Sequence, residues 1–157
     1  MSLRLRAARE EDVDALRRVA ENDHSGAPSA EQIASAVAGD LGYGIVLAED
    51  TEGVLAYLLH SQILDELTVI NILVAPAQRR RGIARGLMAV MLERATEVGV
   101  ARCLLEVSAS NYAAQGLYQS LGFVNDGRRK NYYLKGSGRE DAILMSLILA
   151  DYQEQAK

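Results

Sequence analysis

Residues 71–99 read NILVAPAQRRRGIARGLMAVMLERATEVG, and this stretch decides the fold. Its start, Asn71 to Val74, ends a segment over residues 65–74 that begins acidic and turns apolar, as a buried strand does. Pro76 closes that strand, and an arginine-rich turn follows. The spacing of Ile83, Leu87, Val90, Met91 and Val98 then predicts a helix over residues 83–98, and Gly99 stops it. Residues 102–108 read as another strand. Strand, helix and strand in this order predict a parallel crossover.

The pattern extends in both directions. Upstream, residues 3–7 alternate as a short strand and residues 10–21 have helical spacing. Ser29 caps a second helix over residues 30–38, which Gly39 ends. Residues 43–48 and 54–62 form a hairpin across a turn at residues 50–53. Downstream, Ser110 or Asn111 caps a short helix in which Ala114, Leu117, Tyr118 and Leu121 share a face. Gly122 and Phe123 predict its Schellman ending. Residues 124–133 read as extended with turns, and residues 142–149 as a last apolar strand. The expectation is an α+β fold with a mixed, mostly antiparallel central sheet and about four helices. Residues 1–150 are expected to form one domain, and residues 151–157 a flexible tail.

Composition narrows the function. The chain has 157 residues, 49% hydrophobic, enough for one core. A net charge of -4 argues against a nucleic-acid binder held by phosphate contacts. The only cysteine is Cys103, which forbids an internal disulfide and fits a cytoplasmic setting. With two histidines beside it, a dedicated metal site is not expected. No signal peptide or membrane span is legible.

Arg79, Arg80, Arg81 and Arg85 crowd a predicted helix start, where the helix dipole already places positive charge. No acid in the first turn offsets them. Gly82 and Ala84 leave the backbone N–H groups open to an approaching phosphate. On spacing alone, an anion cradle and a solvated basic loop stand equal.

The residues 79–84, RRRGIA, fit the pattern Gln/Arg-x-x-Gly-x-Gly/Ala. With the strand before them, they resemble the cofactor motif of the GNAT superfamily of N-acetyltransferases. A narrower similarity runs over about residues 64–149. It lies in LEVSASN at 105–111, LYQSLGF at 117–123, RRKNYY at 128–133 and GREDAILM at 138–145. It points to the RimI type, which acetylates ribosomal proteins at an N-terminal alanine.

The resemblance implies a sheet splayed at an acetyl-CoA site, with acetyl-CoA as co-substrate. Ile72, Leu73 and Val74 would bond the pantetheine arm through their backbone, and the Val74 N–H would serve as oxyanion donor. Arg79, Arg80, Arg81, Gly82, Ile83 and Ala84 would wrap the pyrophosphate, and Asn111 would touch the pantetheine. Glu106 takes the place of the general base; strand alternation sets it with Leu104, opposite Cys103, Leu105 and Val107. Tyr118 takes that of the acid for the departing thiolate. Apart from the resemblance, Tyr132 and Tyr133, aromatics in an irregular segment, are candidates to line a peptide groove, and Asp65 and Glu66 either attract a cationic acceptor or, as is commoner for acids at a strand start, are simply solvated. The acceptor implied is a protein N-terminus, that of a ribosomal small-subunit protein, with no nucleic acid or membrane partner.

One segment departs from that type. Residues 24–29, HSGAPS, keep a proline but lack the tryptophan and its aromatic neighbour that wall the acceptor site. Acetylation of lysine side chains or small amines stays open, as does a non-enzymatic acetyl-CoA-binding module.

Overall fold

A computed structural model describes residues 2–23 and 26–155. β1 (Arg4–Ala7) leads through a 3-10 turn, Glu10–Asp12, into α1 (Val13–Ala20) and α2 (Ala30–Ala38). β2 (Tyr43–Asp50), β3 (Gly53–Ile63) and β4 (Glu66–Val74) form a meander. α3 (Ile83–Glu97) crosses to β5 (Arg102–Ser108), and α4 (Tyr112–Ser120) leads to the hairpin of β6 (Val124–Lys135) and β7 (Gly138–Ile148). α5 (Leu149–Gln155) follows. The strands form one sheet in the order β1-β2-β3-β4-β5-β7-β6.

Local chemistry explains the boundaries. At α2 the Ser29 hydroxyl accepts the Gln32 N–H at 3.1 Å and the Gln32 carboxamide accepts the Ser29 N–H at 2.8 Å. This is a complete capping box, and Gly39, left-handed at φ 79°, ends the helix. α4 ends as predicted: the Phe123 N–H reaches the Tyr118 carbonyl at 3.0 Å and Gly122 that of Gln119 at 3.0 Å. The helix predicted over residues 10–21 instead opens with the 3-10 turn. Asp12 accepts the Arg9 N–H at 2.7 Å and is gripped by the Arg6 guanidinium at 2.8 and 2.9 Å, which tightens the chain there. Beyond residue 150, where a flexible tail is expected, the chain continues as α5. Its Tyr152 packs against the core, which gives that turn an apolar anchor.

The sheet separates two apolar clusters. The larger lies under α3 and α4 and is built around Leu87, Met88, Leu92, Cys103 and Met145. The smaller, on the α1 and α2 side, includes Leu16, Ile33, Leu47 and Tyr57.

β4 and β5 are the parallel pair, and they stay together only through Glu66↔Arg102, Leu67↔Cys103 and Thr68↔Leu104. β3 holds β4 as far as Ala56↔Val74, and β7 holds β5 as far as Ser108↔Ala142. The facing edges over residues 69–74 and 105–108 are therefore unpaired with each other. A bulge at Ile70 starts the parting: Leu59 faces Asn71 while His60 faces Val69. An extra residue bends its strand away from its neighbour.

Candidate active site

The parted edge of β4 presents backbone groups. The Ala75 N–H donates to the Leu55 carbonyl of β3 at 2.9 Å. Amide direction alternates along a strand, so the N–H groups of Val74 and Ile72 point away from β3, into the gap. The Val74 carbonyl points the same way and accepts from Arg79 Nε at 3.2 Å. Ile72 and Val74 pack on the larger core and Leu73 on the smaller, which fixes the strand from both faces. Asn71 adds a polar clamp: it accepts from the Tyr57 hydroxyl and donates to Asp23 at 3.1 Å. Burial raises the pKa of that Tyr57 hydroxyl.

The arginine turn lies at the end of this strand. Arg80 and Gly82 are both left-handed, at φ 67° and 77°. Such a conformation is costly for arginine and turns successive N–H groups toward one side. No side chain caps α3 and its first turn holds no acid. Arg79, Arg80, Arg81 and Arg85 are exposed. Among the described residues none of them has a salt bridge. Arg81 donates to Gln78 and Arg85 to Ser120. Ile83 anchors the turn in the core and Ala84 is half-buried behind it. The turn concentrates positive charge at a helix start that no side chain caps.

Across the gap, Glu106 lies on the less buried face of β5 with Leu104, as alternation predicts. It lines a cleft of about 840 Å³ with Thr68, Ile70, Arg129, Tyr132 and Tyr133. Its carboxylate meets Arg129 Nε at 3.0 Å. The nearby Glu106 carboxylate raises the pKa of the Tyr132 phenol. Burial and the charge of Glu106 push Tyr133 up to about 12.

Tyr118 sits in the larger core, its ring 6.0 Å from that of Phe123, and does not line the cleft. Burial, then Tyr133 and Cys103, push its pKa up to about 12. The phenol thus keeps its proton across the ordinary pH range. Asn111 caps α4, accepting the Ala114 N–H at 3.1 Å. Cys103 is fully buried, with its pKa pushed up to about 12 by desolvation, which makes it a poor nucleophile.

The cleft wall owes its shape to a bulge. Arg129 faces Ala142 and Tyr133 faces Glu140, so residues 130–132 oppose Asp141 alone. The Asp141 carboxylate accepts the Asn131 N–H at 2.9 Å and pairs with Arg128 at 2.7 Å. Those contacts, the backbone one first, lower its pKa. Asn131 is left-handed at φ 55°.

The predicted residues thus fall into three groups: the open edge at Ile72 to Val74, the turn at residues 79–84, and Glu106 with Tyr132 and Tyr133; Tyr118 lies apart from the cleft, in the larger core. Asp65 and Glu66 do not join them. The Asp65 carbonyl accepts from Ala101 and Arg102, and Glu66 faces Arg102 at 3.9 Å outside the cleft lining. Of the loop at residues 24–29, His24 and Ser25 lie outside the described residues. Sequence reasoning missed Arg129 as the partner of Glu106, and Asp141 as the staple of the wall. Both stand in quoted motifs, but no spacing rule pairs them. Among the described residues no cluster of His, Cys, Asp or Glu suits a metal, and no helix is long and apolar enough to cross a membrane.

A mixed sheet parted between its parallel strands, with a basic turn at the following helix start, defines a GNAT fold. The chain belongs to the Acetyltransferase (GNAT) family, which residues 7–123 match. It is 44% identical over 95 residues to the [ribosomal protein bS18]-alanine N-acetyltransferase of Escherichia coli. That match covers 60% of this chain and spans 64% of the length of the curated relative. The crystal structure of the Escherichia coli ribosomal-protein-S18-alanine N-acetyltransferase superposes with a TM-score of 0.86 at 33% identity, covering 94% of each chain. Arabidopsis thaliana NAA60 in complex with acetyl-CoA shares the fold, with a TM-score of 0.84 at 18% identity over 95% of this chain and 99% of its own.

Proposed function

We propose that this protein transfers the acetyl group of acetyl-CoA to the N-terminal α-amine of a protein. The acceptor is a ribosomal small-subunit protein with an N-terminal alanine, and the setting is the cytoplasm. One domain, residues 1–150, carries the reaction. The observation that carries this reading is the parting of β4 from β5, which sets an open backbone edge between the arginine turn and the Glu106 cleft. The full-length likeness to the Escherichia coli enzyme supports the choice of acceptor.

Each part of the chain has a task. Arg79, Arg80 and Arg81, with the N–H groups of Gly82, Ile83 and Ala84, hold the pyrophosphate. The edge at Ile72 to Val74 and the Asn111 side chain hold the pantetheine arm. Bound acetyl-CoA supplies the acetyl group as a thioester. The Val74 N–H donates to the acyl oxygen as it gains charge. A protein α-amine has a pKa near 8, so Glu106, directly or through a water, suffices to take its proton. Tyr118, which its buried setting keeps protonated, is assigned as acid or hydrogen-bond donor to the leaving sulfur.

A second reading changes the acceptor to a lysine side chain or a small amine. The missing aromatic pair in residues 24–29 favours it. A thiol-release assay decides, with a peptide bearing a free N-terminal alanine, the same peptide blocked at its N-terminus but carrying lysine, and a polyamine. Turnover on the free N-terminus alone is expected. Turnover on the blocked peptide or the polyamine selects the second reading, and acetyl-CoA binding without turnover sinks both.

A further inference from the structure

Glu106 is not free. Its carboxylate meets Arg129 Nε at 3.0 Å, and the same guanidinium lies over the Tyr132 ring, 5.4 Å from its centroid. The carboxylate of Glu106 in turn raises the pKa of the Tyr132 phenol, and both residues line the same cleft. A cation is thus already seated between a carboxylate and an aromatic face, on the wall of the cleft assigned to the acceptor. A carboxylate beside an aromatic ring face makes a site suited to an ammonium group.

We infer that Arg129 is a built-in placeholder for the acceptor's ammonium, displaced from Glu106 when the acceptor binds. The inference rests on the reading of this cleft as the acceptor site. Three observations carry it. The Arg129 side chain is 56% exposed and that of Glu106 28%, so the pair breaks without stranding a buried charge. Arg129 keeps Ala142 as its register partner at the edge of the bulge, so moving its side chain off Glu106 breaks no strand pairing. The other charged residues lining the cleft, Arg102 and Asp126, pair with each other at 3.3 Å, which leaves Arg129 as the cation on Glu106.

A placeholder has a signature opposite to that of a positioning residue. It competes with the acceptor, so its removal tightens acceptor binding. A partly exposed pair of this kind shifts an equilibrium by about 1.4- to 5-fold. In steady-state assays with the free N-terminal alanine peptide, Arg129→Ala and Arg129→Gln should lower the acceptor KM by about 1.4- to 5-fold, leaving the acetyl-CoA KM unmoved. Arg129→Lys, which keeps a cation, should stay near the wild type. An unchanged or raised acceptor KM in the Ala and Gln variants, with rescue by Lys, overturns the inference and makes Arg129 a positioning residue.

The unmodified protein gives an independent reading. The Arg129 Nε–H resonance should shift when the free-amine peptide is added and stay still with the N-terminally blocked peptide. No shift on binding overturns the inference even if the variants fail to fold. Peptide binding with the shift but without turnover would instead refute acetyl transfer while upholding the placeholder. If the peptide does not bind, both fall.

Discussion

Replacing Arg79 and Arg81 together by alanine separates anion binding from folding. In the free protein the effects oppose. Each arginine beside the positive end of α3 costs about 0.3–1 kcal/mol, so removing two returns about 0.6–2 kcal/mol. The same change deletes the Arg79 bond to the Val74 carbonyl and the Arg81 bond to Gln78, each worth about 0.5–1.5 kcal/mol at most in exposed positions. The two effects largely offset, and the net change lies between a gain of about 1 and a loss of about 2.4 kcal/mol. Binding has no such cancellation, since lost charge-assisted contacts to a pyrophosphate weaken affinity by about 1.5–3 kcal/mol each. A 100-fold loss is a conservative expectation. At a CoA concentration of about 100 times the wild-type Kd, ligand binding stabilises the wild type by about 2.7 kcal/mol and the variant by about 0.4. For a chain of this size, those values correspond to thermal shifts of about 5–11 °C and about 1–2 °C. A thermal-shift titration with CoA reads the difference directly. Equal shifts in both proteins would refute the phosphate assignment and leave the turn a solvated basic loop. A large fall in the free protein's Tm would show instead that the arginines are structural.

Three further outcomes follow from the geometry. Glu106→Gln should lower turnover about 10²- to 10⁴-fold with acetyl-CoA affinity unchanged, as steady-state kinetics and calorimetry will show; an unaffected rate removes Glu106 from the mechanism. Arg6 holds the pKa of Asp12 below its ordinary value. The depressed folded pKa makes the Asp12 contribution full above the ordinary carboxylate range and lost as pH falls through the folded value. Asp12→Asn should thus cost about 1–3 kcal/mol near neutrality, with the gap to wild type closing in acid, measured by denaturant unfolding at several pH values. Asp141→Asn should raise the KM for the acceptor and not that for acetyl-CoA, because it loosens the bulge at residues 130–132 that sets Tyr132 in the cleft wall; steady-state kinetics checks both constants.

Much of this was legible locally. Ser29 and Gly39 mark the two ends of α2, and Gly122 with Phe123 marks the end of α4, because capping chemistry is read from a few adjacent residues. The place of Glu106 follows from period-two alternation along β5. The outer hairpin was harder. β6 is exposed along most of its length, so it carries no apolar rhythm, and its register is reset twice by bulges. The contact between Arg129 and Glu106 depends on that register, set from across the sheet by Asp141. The parting of β4 and β5 is likewise a relation between strands. Only the resemblance carried by residues 79–84 announced it. The polar sequence of α5 hides its anchor, Tyr152, among residues that read as a tail.

The central claim is that the gap between β4 and β5 delivers an acetyl group to an α-amine at Glu106. Its most direct test is mass spectrometry of a peptide with a free N-terminal alanine and an internal lysine, incubated with the protein and acetyl-CoA. The account predicts one acetyl group, mapped by fragmentation to the N-terminal nitrogen, and its near absence with Glu106→Gln. Acetyl on the lysine instead, or equal N-terminal acetylation by the Glu106→Gln variant, would contradict it.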